Sequence, residues 1–306
     1  MKKEIAAPLK FDSLSDAFRV FGLPLPKHPL ISVMHGISDQ AVAEGLPANH
    51  VLSFYKISYK PKLSGKLKYG QGYYDFDEGG LLFASPGQVI GSNENGGAVC
   101  SEFALLIHPD FFLGYPLAKT IKQYGFFSYS ANETLHLSED EKATMMSIFK
   151  MIQTELDSRI DDFSQDVVIA QIELLLNYAN RFYKRQFITR KAVSNDLLQK
   201  LEVLLDDYFN NEISLSQGIP TVAYLADHLN LTPSYLSDML RSLTGQNAQQ
   251  HIHDKLIEKA KEKLSTTNLS VSEVAYALGF EHSQSFSKLF KTKTNLSPLE
   301  FRQSFN

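Results

Sequence analysis

Cysteine is nearly absent from this chain. Cys100 stands alone among 306 residues, which excludes an internal disulfide and any multi-cysteine zinc site and fits a reducing compartment. Its neighbours alternate weakly as in a strand, so a small buried apolar residue is expected there rather than a reactive thiol. Long apolar runs are missing too: none approaches the roughly 18 residues that a membrane span requires. The opening Met1-Lys2-Lys3-Glu4-Ile5 has no apolar segment after its lysines and does not read as a secretory signal, so a cytoplasmic location is expected. Positive charge is not in excess. The net charge is −4, and from residue 191 onward 11 Lys and Arg face 13 Asp and Glu, so bulk charge gives no attraction to a polyanion. Histidine is missing from 51–107.

What is present is an ordinary globular composition, 43% hydrophobic and 21% charged, in a chain long enough for two cores. Residues 28–112 hold short β-like runs: 51–59, 66–76, 80–84 and 103–107. Turn residues separate them, such as Ser64-Gly65, Gly79-Gly80, Pro86-Gly87 and Asn95-Gly96. Many short strands at even spacing predict a small sandwich or barrel. After His108-Pro109 the period becomes helical. Ser138 and Glu141 form a capping box ahead of Met145, Ile148, Phe149, Ile152 and Leu156. A second helix starting near Asp161-Asp162 carries Val168, Ile172, Leu175, Leu176, Tyr178, Ala179 and Phe182 on one stripe. Apolar surface beyond what a barrel can cover makes these helices a candidate homodimer seam. The polar stretch 186–195 is expected to be a linker, dividing a domain at 1–185 from a helical domain at 196–306 whose longest loop is 210–220.

Within the helical domain a single pattern occurs twice, at 221–241 and 270–291: a short apolar helix, a sharp turn and a second short helix. Ala226 and Ala275 each precede a leucine by three residues, the spacing at which a small residue lets two helices cross closely. In the first copy Thr232-Pro233 reads as an N-cap followed by proline at the first helical position. Leu236, Met239, Leu240 and Leu243 fall inward, which turns Ser234, Ser237, Asp238 and Arg241 outward. In the second copy Ser270 and Glu273 make a capping box, and Gly279 holds the corner where the first copy has Asn230. Phe286, Leu289 and Phe290 fall inward, and Ser283, Gln284, Ser285, Ser287, Lys288 and Lys291 outward.

Such outward faces suit the major groove of double-stranded DNA. Gln284 has the amide pair that recognises adenine, while Arg241, Lys288 and Lys291 suit guanine or phosphate. Asp238 can accept from a cytosine amino group, and the serines can bond base edges or phosphate. Local charge agrees to a degree: the last 25 residues carry Lys288, Lys291, Lys293 and Arg302 against Glu300. Between the copies, 246–264 reads as one helix with Ile252, Leu256, Ala260 and Leu264 inward, a spacer that can set two reading helices near one DNA turn apart, about 34 Å.

The residues Leu225-Ala226, Leu229-Asn230-Leu231-Thr232, Tyr235-Leu236, Thr244-Gly245, Val274-Ala275, Leu278-Gly279-Phe280, Phe286-Ser287-Lys288-Leu289-Phe290-Lys291 and Ser297-Pro298-Leu299-Glu300-Phe301-Arg302 resemble the AraC/XylS family of bacterial transcription regulators. The resemblance covers about 100 residues. It implies two helix-turn-helix units that bind promoter DNA and act on transcription, commonly as activators through RNA polymerase. Where members often have a basic residue in the first recognition helix this chain has Asp238, which shifts the expected base reading to the second unit.

The family also implies a cupin-like N-terminal domain that senses a small molecule or dimerises. The expected fold is therefore α+β, a cupin-like β-barrel with a helical appendage followed by an all-α double helix-turn-helix domain. Alternate aromatics are expected inside the barrel, and Tyr55, Tyr59, Tyr69 and Tyr73 are candidates to line an effector pocket. A cupin-type enzyme with an accessory helical domain is the alternative. It needs a His-x-His metal site on neighbouring strands, and the histidine gap at 51–107 disfavours it. A zinc-thiolate methyl acceptor cannot be built from one cysteine. No cofactor, metal or catalytic residue is expected.

Overall fold

The computed structural model describes residues 9–37, 49–61, 63–69, 72–76, 80–91, 101–130, 133–158, 161, 163–189 and 191–304. For 36–37, 49, 63–69, 72–76, 91 and 191–195 the description is of backbone alone. The chain is α+β and divides into two compact units, Met1–Gln186 and Phe187–Asn306.

In the first unit strand β1 (Leu9–Phe11) and helix α1 (Leu14–Val20) precede β2 (Ile31–Ile37), β3 (Asn49–Leu52), β4 (Tyr55–Lys60), β5 (Leu63–Tyr69), β6 (Gly72–Phe76), β7 (Gly80–Ala84), β8 (Val89–Gly91) and β9 (Ser101–Ile107). Among the described residues these strands do not close into the expected barrel. They form three sheets, in the orders β2-β9-β4-β7, β1-β3-β8 and β5-β6. The expected single strand at 51–59 breaks at Ser53-Phe54, where the backbone passes from one sheet to another and Phe54 is fully buried.

Helices cover what closure would otherwise bury. Short α2 (Leu117–Thr120) and three-residue to four-residue 3-10 turns lead to α3 (Glu139–Asp157) and α4 (Ser164–Thr189). The Ser138–Glu141 capping box forms as the sequence predicts. Phe149 of α3 stacks on Phe103 of β9, centroids 5.6 Å apart. The free edge of β7 is closed by a bridge between Leu81 and Leu135. Arg185 of α4 grips both carboxylate oxygens of Glu141 at 2.8 and 2.7 Å, and the buried amide of Gln186 accepts from His136 N at 2.8 Å. The other face of the large sheet meets α1: Phe11, Leu14, Ala17, Phe18, Leu52, Phe54 and Leu106 form one buried cluster.

The stretch 186–195, expected to be a linker, is helical up to Thr189 and again from Lys191. It contains no proline or glycine to stop a helix. The second unit continues with α5 (Lys191–Asn210), α6 (Ile213–Gln217), α7 (Val222–His228), α8 (Pro233–Thr244), α9 (Ala248–Thr266), α10 (Val271–Ala277), α11 (Ser283–Thr294) and α12 (Pro298–Gln303). The expected long loop at 210–220 thus contains a helical turn and a half, α6. In α9 the residues Ile252, Leu256, Ala260 and Leu264 are all buried, as the pattern predicts.

His50 sits edge-on to Phe11 and Phe21, centroids 6.1 and 5.9 Å away, and its Nδ1 is buried without a partner among the described residues. Burial, helped by the charge of Lys56, pushes its pKa down to about 4. Between the ordinary value near 6.5 and 4 the unfolded chain takes up the proton and the folded one does not, so stability falls as pH drops through that window. The expected loss is about 3 kcal/mol. Urea unfolding of the wild type and His50→Phe at pH 7, 6 and 5 checks it: the variant should lose the extra slope, and equal slopes would refute the assignment.

Candidate nucleic-acid interface

Both corners of the second unit are built from the same backbone bonds. In the first, Thr221 caps α7 by accepting from Tyr224 N at 3.1 Å, and the helix ends with Asn230 at φ 55°. Leu231 N donates to Ala226 O at 2.9 Å and Asn230 N to Asp227 O at 3.1 Å. In the second, the Ser270–Glu273 capping box starts α10 and Gly279 turns at φ 89°. There Phe280 N donates to Ala275 O at 3.0 Å and Gly279 N to Tyr276 O at 3.0 Å. Each pair of bonds is a Schellman motif, the helix stop that needs one left-handed residue. Asparagine and glycine are the residues that tolerate it. Ala226 and Ala275 are buried at the crossings with α8 and α11.

The second corner has a further constraint. A Cβ on Gly279 would lie 2.5 Å from the carbonyl carbon of Gly218 and 2.8 Å from Ile219 N, so two backbones meet there with no room for a side chain. Ser214 Oγ in α6 donates to Ala277 O at 2.8 Å, and the Tyr208 hydroxyl donates to Gly218 O at 2.9 Å. The 210–220 stretch therefore braces the second corner.

Helix α8 starts sharply, with Thr232 accepting from Tyr235 N at 3.3 Å. Leu236, Met239 and Leu240 are buried and Leu243 is half-buried. Of the four residues predicted outward, only Arg241 is fully exposed; Ser234, Ser237 and Asp238 are half-buried. Arg241 Nη1 donates to Asp238 Oδ1 at 3.0 Å, so the one cation of this face is matched by its acid. In α11, Phe286 and Phe290 are buried while Gln284, Ser285, Lys288 and Lys291 are exposed and Ser283 and Ser287 half-buried. Neither Lys288 nor Lys291 has an ion-pair partner within 4 Å among the described residues. The six residues of α11 thus come together on a helix whose open charge is positive, and the four of α8 on one whose charge cancels.

Two cations that the sequence placed near this face are used internally. Lys293 Nζ donates to Asp254 Oδ1 at 2.8 Å, and Arg302 Nε donates to Leu264 O at 3.3 Å. Burial opposes the charge on Asp254, but bonds from Lys293 and Gln246 hold its carboxyl below the usual carboxylate range. Sequence inspection missed exposed His282, at the cap of α11 with no side-chain capping bond, and exposed Glu281 beside it. Their position between the corner and α11 was the available signal.

Of the four tyrosines expected to line a pocket, the described residues place the side chains of two. Tyr55 and Tyr59 are buried, Tyr55 edge-on to Phe112 and Phe127 and Tyr59 beneath the Lys142 ammonium. Burial raises both hydroxyl pKa values. The side chains of Tyr69 and Tyr73 lie outside the described residues. The alternate residues of the same strand, Lys56, Ser58 and Lys60, line instead a cavity of about 90 Å³ together with Leu82, Ala84 and Gln88. A larger one, about 440 Å³, lies along β2 beside Phe18, Leu25, His28, Met34, His35 and Leu156.

Residues 225–304 match the family model described as a helix-turn-helix domain. Over 268 residues, 84% of this chain and 79% of the other, the chain is 24% identical to a Bacillus subtilis (strain 168) protein described as an uncharacterized HTH-type transcriptional regulator, YfiF. Over 149 residues, 48% of this chain, it is 29% identical to the HTH-type transcriptional activator RhaS of Salmonella paratyphi B, of which it spans about half, 51%. A solved C-terminal domain of the two-component response regulator yesN from Fusobacterium nucleatum is 32% identical, covering 33% of this chain and 96% of that one, with a TM-score of 0.29.

The close approach at Gly279 makes a direct prediction. Gly279→Ala must open the contact with Gly218 and strain a left-handed residue, at a cost of about 2 kcal/mol or more. Asn230→Gly, which keeps a residue that tolerates the left-handed turn, should change stability by less than about 1 kcal/mol. Chemical denaturation of the two variants compares them, and a Gly279→Ala protein as stable as wild type would show that the corner is not braced.

Proposed function

The C-terminal region of this chain is a helix-turn-helix domain of the AraC type, and from that premise we propose that the protein is a sequence-specific DNA-binding regulator of transcription. The observation that carries the proposal is the α11 face: Gln284, Ser285, Lys288 and Lys291 are exposed on a helix held by its corner, and among the described residues neither lysine has an ion-pair partner within 4 Å. A lysine there can bind phosphate or guanine, and an amide can pair with adenine. Helix α9 has 19 residues, about 28 Å at 1.5 Å per residue, which supports two reading helices meeting successive major grooves. The α11 unit supplies most of the attraction, and α8 with its Asp238–Arg241 pair reads a narrower preference or orients the domain.

The finer points of the proposal concern partners. We take the regulator to be an activator, as the name of RhaS states for that relative, and to engage RNA polymerase. The division into a domain at 1–185, a joint at 186–195 and a DNA-binding domain at 196–306 belongs to the same proposal. Its N-terminal domain then senses a small molecule, dimerises, or both. Exposed Phe163, Val167 and Leu174 at and along α4, and Met151 on α3, support self-association, since large apolar side chains in that number seek cover. The two cavities, neither lined by Tyr55 or Tyr59, support an effector site in this domain. The cytoplasm is the compartment in which such a protein works, and no helix among the described residues is long and apolar enough to cross a membrane.

A mobility shift on the gene's own upstream fragment tests the core of this. Lys288→Ala should weaken binding to every sequence and lower the salt slope by about one. Gln284→Ala should instead cost about 1–3 kcal/mol on the preferred site and little elsewhere. Asp238→Ala, which releases Arg241, should tighten binding. If the wild type and all three variants bind every fragment equally weakly, sequence-specific reading is wrong.

A further inference from the structure

Asp254 lies on α9, the spacer between the helix-turn-helix units, and bonds both the turn that follows α8 and the last turn of α11. Its Oδ2 accepts from Gln246 Nε2 at 2.9 Å, and Gln246 follows directly on Gly245, the left-handed residue that ends α8. Its Oδ1 accepts from Lys293 Nζ at 2.8 Å, and Lys293 is in the last turn of α11. One carboxylate therefore ties residue 246, in the turn that joins α8 to α9, to residue 293 in the last turn of α11. A neighbouring turn of α9 adds His251, whose Nε2 lies 2.9 Å from Thr244 Oγ1, but this bond reaches only α8. The ion pair is half-shielded, with side-chain exposures of 29% for Lys293 and 41% for Asp254, and is thus stronger than a fully solvated pair.

We infer that Asp254 is a positioning residue for DNA reading, which fixes the angle and separation at which α8 and α11 present themselves. This rests on the DNA-binding proposal above. Apart from the buried packing of α9 on both helices, the other braces act elsewhere. Gly218 against Gly279 and Ser214 against Ala277 hold the corner at α10, not the far end of α11. The pairs of Asp206 with Lys255 and Lys259, at 2.9 and 3.4 Å, hold α9 to α5. The buried face of α9, Ile252, Leu256, Ile257 and Ala260, does not include Asp254, so its removal leaves the core intact. What it frees is the relative setting of two rigid helices, and a protein that must reach two grooves at once depends on that setting.

The charge change makes the test sharp. Removing Asp254 adds one net positive charge and releases Lys293, so electrostatics alone predicts tighter binding to all DNA. Positioning predicts the opposite on a two-groove site. With the full chain, a duplex selected from random sequence by the wild type serves as probe, alongside versions with one base pair added or removed between the half-sites and with either half scrambled. Fluorescence anisotropy is read for wild type, Asp254→Ala, Asp254→Asn and Lys293→Gln, with thermal melting in parallel.

The wild type should lose about tenfold or more on altered spacing. Asp254→Ala should bind the selected duplex roughly fivefold or more weakly, within the range of ordinary coupling between sites, and keep little preference for spacing. On half-scrambled duplexes it should bind at least as well as wild type, with melting nearly unchanged. Lys293→Gln should relax spacing in the same way, and Asp254→Asn, which keeps an acceptor, should fall between. Tighter binding by Asp254→Ala with the spacing preference intact overturns the inference while leaving DNA reading in place. A wild type that selects no sequence at all overturns both.

Discussion

Two backbones touching without side chains, Gly218 against Gly279, set the terms for the second unit. Packing at that distance leaves no room for a side chain at Gly279, and both glycines also adopt a positive φ, 76° at Gly218 and 89° at Gly279. Everything beyond it inherits its direction: Phe280 closes the Schellman motif, and α11 leaves the corner with Phe286 and Phe290 inward. The exposure of Gln284, Lys288 and Lys291 follows from the 3.6-residue period once those two phenylalanines are fixed. The exposed face of α11 is thus a consequence of the steric contact at the corner that precedes it.

Much of this was legible in the sequence because it is local. Caps, capping boxes, Asn230 and Gly279 at the corners and the buried stripe of α9 depend on residues within a few positions of one another, and each formed as the spacing predicts. Charge pairing is not local. Lys293 and Asp254 are 39 residues apart, and Arg302 meets Leu264 across 38, so a count of cations along the chain overstates how many face outward. Asp238 was visible as a departure, but its bond to Arg241 depends on side-chain rotamers. The loop at 210–220 hid a short helix, α6, whose five residues carry too little period to be recognised, and whose importance lies in what Ser214 touches.

The first unit was less legible because alternation tells which residues share a face but not what each face meets. Tyr55, Ile57 and Tyr59 share a face, as do Phe103, Leu105 and Ile107 opposite them. A closed barrel would turn one such set toward a central pocket. Helices covering an open sheet turn this set under Phe112, Phe127 and Phe149 instead. The polar alternates Lys56, Ser58 and Lys60 then fall to the cavity, across from Ala84, Leu82 and Gly80. Aromatic density pointed to a strand that does line a cavity, through Lys56, Ser58 and Lys60, while Tyr55 and Tyr59 are packed among neighbouring side chains.

The two faces of β4 differ so sharply that the strand is more sensitive to length than to identity. Many single replacements at its six positions keep a buried apolar side and a polar side. Loss or gain of one residue within it would drive Lys56 and Lys60 into the aromatic layer and put two tyrosines in their place, since a one-residue shift exchanges every side chain between faces. Insertions and deletions should therefore accumulate in the surrounding turns during divergence, and β4 should keep its length among descendants whose residues at these positions have otherwise drifted.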